Sequence, residues 1–195
     1  MPELDETPSD DAPRDRKSPT TSTTEGAASA RWKRWRRPLL EAFGVLAVFV
    51  ALRAFQTRSL VSGAAPSVTA VALDGRPAAL GAAAGRAQLL WFFATWCTVC
   101  QASEHNVRAI AEHGDEIVLI ASDSGSDAAL AAWLRAQGLD RMRVVNDSDG
   151  AIARRFGVRS FPTTVAISAA GAVRSTDVGY STELGLRWRL FRARH

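Results

Sequence analysis

The chain has 195 residues, 47% apolar and 23% charged, a composition that can fill a buried core and excludes a wholly disordered or fibrous protein. Its formal charge of +4 does not point to nucleic acid, because residues 59–195 hold 14 Arg against 12 Asp and Glu. Much of the positive charge instead lies near the N-terminus.

Residues 1–30 carry seven acidic and three basic residues among many Ser, Thr and Pro, with almost no large apolar side chain. Such a stretch buries too little surface to offset its ordering entropy, and it reads as a disordered tail on the cytoplasmic side. "RWKRWRRP" follows, with Arg31, Lys33, Arg34, Arg36 and Arg37 around two tryptophans, and then "LLEAFGVLAVFVALRAF". A basic flank, interfacial Trp and an apolar helix-forming run predict a transmembrane anchor over 31–58 with its N-terminus inside. The run from Leu39 to Phe55 spans roughly 25 Å as a helix, the short end of what a bilayer core requires. Glu41 and Arg53 sit near its ends, within reach of headgroups. A cleaved signal peptide is the first alternative, with "VSGAA" as small residues for cleavage, but a long tail precedes the apolar run. A buried amphipathic helix is the second, but the apolar residues surround the helix rather than striping it. Anchor and signal peptide alike place the remainder outside the cytoplasm, in the periplasm or its equivalent.

The predicted exported domain covers 65–195 as one α/β unit. "SVTAVALDGRPAAL" alternates around Asp74-Gly75 and predicts an opening hairpin. "AQLLWFFA" is a continuous apolar run, as in a strand buried on both faces. A helix is expected from near Cys97 to a stop at Gly114, and "EIVLIAS" is a second buried strand. "SDAALAAWLRAQG" reads as a helix capped by Ser126 and closed at Gly138. "MRVVND" is a short strand and "DGAIARRFGV" a short helix. "FPTTVAIS" and "AAGAVRSTDVG" are strands joined at Ala170-Gly171. The last helix, "STELGLRWRLFRAR", is expected to pack Leu184, Trp188 and Phe191 inward, leaving Arg187, Arg189, Arg192 and Arg194 solvated or against anionic lipid. Strands alternating with helices imply a central mixed sheet with a parallel centre and an antiparallel hairpin edge.

Both cysteines of the chain fall in "WFFATWCTVCQ", as Cys97 and Cys100. A structural disulfide closing so short a loop stabilises least on the chain-entropy model, by about 2 kcal/mol. A structural zinc site needs four ligands, and the three histidines, His105, His113 and His195, have no paired spacing. A Cys–His nucleophile pair fails on distance, since His105 lies more than about 10 Å along the same helix. A redox pair explains the placement. At a helix N-terminus the Cys97 thiolate meets unpaired backbone N–H groups, which lowers its pKa into a range of about 3.5–7.5. Cys100, one turn on, lies within disulfide reach and can resolve a mixed disulfide. A module that captures a soft cation such as Cu(I) with the two thiolates is the competing class, but Met142 is distant in sequence and no His completes the site.

"FFATWCTVC", followed about sixty residues later by "GVRSFPTT", resembles the thioredoxin-like superfamily over residues 65–183. More narrowly it is similar to the membrane-anchored periplasmic branch, the cytochrome c maturation and suppressor-of-copper-sensitivity thioredoxins. The resemblance implies a thioredoxin-like fold without metal or organic cofactor, and a protein disulfide oxidoreductase working through a Cys97–Cys100 disulfide, with reductase favoured over oxidase or isomerase. It implies a cis-proline at Pro162 facing the dithiol and a Phe161 backbone that pairs with an extended substrate segment. Trp96 and Thr163 would contact substrate. Protein substrates, a membrane electron donor or acceptor and lipid around the anchor are the implied partners, and nucleic acid is not among them. Three positions depart from the family pattern. Ser160 stands where Gly is frequent, and Trp91 stands where cytosolic thioredoxins bury an acid. Ser103 stands where reducing relatives often carry Glu; Glu104, one step further on, is expected to be a solvated residue, with proton acceptor as its alternative. His105 is expected to be simply exposed.

Overall fold

The structure is a computed structural model that describes residues 25–112 and 116–195. Residues 1–24 of the expected tail and the expected helix stop at Gly114 lie outside the described residues. The chain divides into two compact units, Met1–Ala47 and Val48–His195. Helix α1, Glu25–Thr57, begins inside the stretch expected as tail and contains the apolar run, whose Leu39, Phe43, Val45, Leu52 and Phe55 are all exposed. Among the described residues no helix is long and apolar enough to cross a membrane.

The second unit holds strands β1 (Ser67–Val71), β2 (Pro77–Gly81) and β3 (Gln88–Phe93), then helix α2 (Thr98–Glu112) and strand β4 (Ile117–Ser122). Helix α3 (Asp127–Gln137), strand β5 (Arg143–Asp147) and the short helix α4 (Ala151–Arg155) follow. Strands β6 (Thr163–Ile167) and β7 (Val173–Val178) and helix α5 (Glu183–Arg194) complete it. The five-stranded sheet has the order β5-β4-β3-β6-β7. Strands β3, β4 and β5 run parallel, while β6 is antiparallel to β3 and β7 to β6. This is the expected mixed sheet, and the fold is thioredoxin-like. The opening hairpin forms its own two-stranded sheet, joined to β5 by an Ala72–Val145 bridge.

Strand β3 is buried at every position because a core lies on each side of it. Leu89, Trp91 and Phe93 enter the core that contains Cys97, Cys100, Val107 and Leu186. Leu90 and Phe92 enter the opposite core with Leu80, Phe156 and Val165. Alternation along one strand thus splits five apolar residues between two layers. Ser126 caps α3, its hydroxyl accepting from the Ala129 amide, and Gly138 closes that helix in the left-handed conformation.

Helix α5 corrects an expectation. Leu184, Trp188 and Phe191 face outward, at 77%, 59% and 52% exposure, while Leu186, Leu190 and Ala193 are buried. Both sets follow an i, i+4, i+7 spacing, so periodicity alone does not choose between them. The phase is fixed by contacts. The Thr182 hydroxyl accepts the Gly185 amide at 3.2 Å, and Arg189 reaches across to Asp177 of β7 at 2.7 Å.

Gly157 anchors the segment entering the domain. The Ser59 hydroxyl donates to its carbonyl at 3.0 Å, and the Val61 amide donates to the Phe156 carbonyl at 3.1 Å. Its φ is +70°, and a Cβ there would collide with the Ser59 carbonyl oxygen. Gly157→Ala is therefore expected to lower stability by more than about 1 kcal/mol, read as a reduced urea midpoint at unchanged slope.

Candidate active site

The strand-to-helix turn after β3 delivers Cys97 to the first turn of α2. The Gln101 amide donates to the Cys97 carbonyl at 3.1 Å, so Cys97 is the residue that caps the helix. Its sulfur accepts the Cys100 amide at 3.2 Å, the bond that a capping oxygen makes at this position. Cys97 and Cys100 are joined as a disulfide with their Cα atoms 5.2 Å apart. Cys97 is 8% exposed and Cys100 is sealed, so a partner reaches Cys97 alone.

The turn is held from both sides. The Thr95 amide donates to the Ser124 hydroxyl, and Gln101 Nε2 donates to the Thr95 carbonyl. Trp96, 64% exposed, donates its indole N–H to the Asp123 carbonyl at 3.1 Å. Asp123 itself sits at φ +49°, a conformation that non-glycine residues adopt sparsely and that clusters at functional sites. Asp123 and Ser124 escaped the sequence reading. Their signal is the polar "SDSGS" straight after a buried parallel strand, at the carboxyl end of the sheet where such sites form.

The Phe161–Pro162 peptide bond is cis. Strand β6 pairs with β3 through Phe92–Thr163, so the proline loop enters the sheet at the edge where β3 leaves for the dithiol. The two loops touch: the Trp96 and Phe161 rings meet edge-to-face with centroids 6.0 Å apart. Pro162 is buried and its carbonyl accepts the Gly179 amide at 2.8 Å. Thr163 is fully buried, its hydroxyl donating to the Ser160 carbonyl at 2.7 Å, so it braces the loop from within. The exposed apolar surface at the dithiol is thus Trp96 and Val99, with Phe161 half-buried beside them.

Glu104 corrects the expectation of a solvated residue. It is 6% exposed, one helical turn after Cys100, and its Oε1 has no hydrogen-bond partner among the described residues. Burial pushes its pKa up to about 7, against the opposing pull of the Arg108 guanidinium. Residues at i and i+4 share a helix face, which puts this carboxyl on the Cys100 side. Sequence periodicity carries the clue: Cys100, Glu104 and Val107 form one stripe of the α2 face. Ser103 is buried and donates back to the Val99 carbonyl, while His105 is exposed. Trp91, in the place of a buried acid, stacks on Phe93 at 4.8 Å. Among the described residues no group of three or more His, Cys, Asp or Glu is placed to hold a metal ion.

Fold and site together define a thioredoxin-like domain whose dithiol caps a helix beside a cis-proline loop. The chain belongs to the Redoxin family, whose sequence model matches residues 60–185. It is 31% identical over 103 residues to a thioredoxin-like protein of Haemophilus influenzae, covering 53% of this chain and 60% of that one. It is 30% identical over 127 residues to the thiol:disulfide interchange protein DsbE of Yersinia pestis, covering 65% and 61%. The chain thus spans about three fifths of the length of these two curated relatives. A secreted Mycobacterium tuberculosis disulfide oxidoreductase homologous to E. coli DsbE superposes with a TM-score of 0.53 at 25% identity, over 64% of this chain and 94% of that one.

The raised Glu104 pKa carries a stability consequence. An unfolded Glu titrates near 4.3, so between about pH 4 and pH 7 the folded state holds the proton more tightly. Stability from this group is complete below about pH 4 and is lost as pH rises through about 7. Thermal unfolding of Glu104→Gln is expected to lack this decline, so its advantage over the parent should widen from pH 5 to pH 8. A pH-independent difference would show that Glu104 does not titrate in this window.

Proposed function

We propose that the protein is a thiol–disulfide oxidoreductase that reduces protein disulfides outside the cytoplasm while held to the membrane by α1. The observation that carries the chemistry is the capped sulfur: a helix amide from Cys100 points at Cys97, and only Cys97 is open to a partner. The Cys97 thiolate attacks a substrate disulfide, forming a mixed disulfide and expelling one substrate thiolate. Cys100 then attacks Cys97, releasing the second substrate thiolate and leaving the chain oxidised; two electrons have passed to the substrate. A thiol donor at the membrane returns them. Trp96, Val99 and Phe161 form the contact surface, and the backbone beside Pro162 pairs with the extended substrate.

Glu104 is the proton acceptor of the second step. Cys100 attacks only as a thiolate, and the buried carboxylate one turn away takes its proton without water entering the core. The membrane reading is supported by the exposed apolar residues all round α1 and its basic flank in sequence. The similar Mycobacterium tuberculosis disulfide oxidoreductase is secreted, which supports placement outside the cytoplasm.

Cys97→Ser is expected to abolish disulfide reduction, and Cys100→Ser to accumulate mixed disulfides visible on non-reducing gels. Glu104→Gln should slow resolution on the order of 10²-fold above pH 7 while leaving the first attack unchanged. In intact spheroplasts, a membrane-impermeant maleimide should label the reduced cysteines without lysis. Labelling that requires lysis would overturn the location, and a Cys100→Ser variant that traps no substrate would overturn the exchange chemistry in favour of thiolate metal capture.

A further inference from the structure

We propose that the outer face of α5 is a lipid-contact surface that lays the domain against an anionic phospholipid bilayer. The core uses only one face of this helix, through Leu186, Leu190 and Ala193. The opposite face carries Leu184, Trp188 and Phe191 in one stripe, all exposed. Trp188 and Phe191 stack with centroids 5.7 Å apart, and His195 continues the row at 4.6 Å from Phe191. At 100° per residue, Arg187 and Arg194 flank the stripe on one side and Arg192 on the other. The helix holds four arginines against one acid, Glu183, and that acid is paired with Arg187 at 2.8 Å.

This is the pattern of a helix that lies in a bilayer interface: an apolar stripe containing Trp, bordered by cations that meet lipid phosphates. Size decides against a protein partner. From Leu184 to Phe191 the stripe runs about 10 Å, two turns of one helix face, whereas a stable protein interface takes a broad patch of roughly 20–30 residues a side. Anionic headgroups also complement the excess of arginine over acid on this helix. The contact depends neither on the dithiol nor on α1 entering the bilayer.

The full chain and its Trp188→Phe variant are mixed with vesicles of phosphatidylcholine alone or with phosphatidylglycerol, each with brominated acyl chains. Trp188 fluorescence is the difference between the two proteins, which cancels the other five tryptophans. The expected result is that bromolipid quenches this difference in anionic vesicles, less in phosphatidylcholine, and less again at high salt. Vesicle pelleting in the same samples reports attachment by any route. Pelleting without Trp188 quenching would overturn the lipid face while leaving the anchor standing. Quenching that is equal in both lipids and indifferent to salt would overturn the role of the arginines. A vesicle-free dimer that Leu184→Asp dissolves, with Trp188 insensitive to bromolipid, would assign the stripe to a second copy and overturn the proposal.

Discussion

One bond organises this site: the Cys100 amide donating to the Cys97 sulfur. A helix begins with N–H groups that lack intrahelical partners, and ordinarily an oxygen of Ser, Thr, Asp or Asn satisfies one of them. Here sulfur takes that place, so the atom that reacts is also the atom that starts the helix. The strand before it must then be rigid, because any drift of β3 would move the cap. Burial of all six β3 residues between two cores supplies that rigidity, with β4 and β6 paired on either side.

The second constraint is charge. A thiol that must ionise inside a core needs somewhere to send its proton, and a carboxylate buried for that purpose resists ionising. At the strand position where cytosolic thioredoxins bury an acid this chain has Trp91, which packs against Phe93 instead. The buried acid sits on the helix, at Glu104, on the face that carries Cys100. With the acid there, β3 is apolar from Leu89 to Phe93. The same burial that raises the pKa of Glu104 keeps its proton affinity within reach of a thiol's.

Much of this was legible in the sequence, for identifiable reasons. The parallel centre and antiparallel edge of the sheet follow from apolar runs of strand length separated by helical periods and punctuated by Gly138 and Gly171. The dithiol could be placed because a strand, a Cys-x-x-Cys turn and a helix occur in one order, whereas the cis-proline at Pro162 came only from the family resemblance carried by "GVRSFPTT". Two expectations failed because each depended on a phase that spacing leaves open. On α5 two stripes have the same i, i+4, i+7 spacing, and the Arg189–Asp177 ion pair selects the less bulky one for the core. On α2 a charged residue following Ser103 looks solvated, yet the face set by Cys100 carries it inward. Thr163 looked like a contact residue from its place beside Pro162, but β6 is buried at every position and its side chain is enclosed with the rest.

The unequal exposure of the two sulfurs sets the order of events. Cys97 is 8% exposed beside the exposed Trp96 and Val99, while Cys100 is fully buried in the core that also holds Trp91, Phe93 and Val107. A substrate sulfur therefore bonds Cys97 first, whichever way electrons flow; in the reducing direction the mixed disulfide lasts until the Cys100 thiolate attacks it, and in the oxidising direction until a second substrate thiolate does. What reaches Cys97 is limited by the Trp96–Phe161 edge-to-face pair, which is fixed to the sheet through the Asp123 carbonyl and the proline loop. In the proposed mechanism, recognition rests on groups held at the strand ends and resolution on a carboxyl held by the helix.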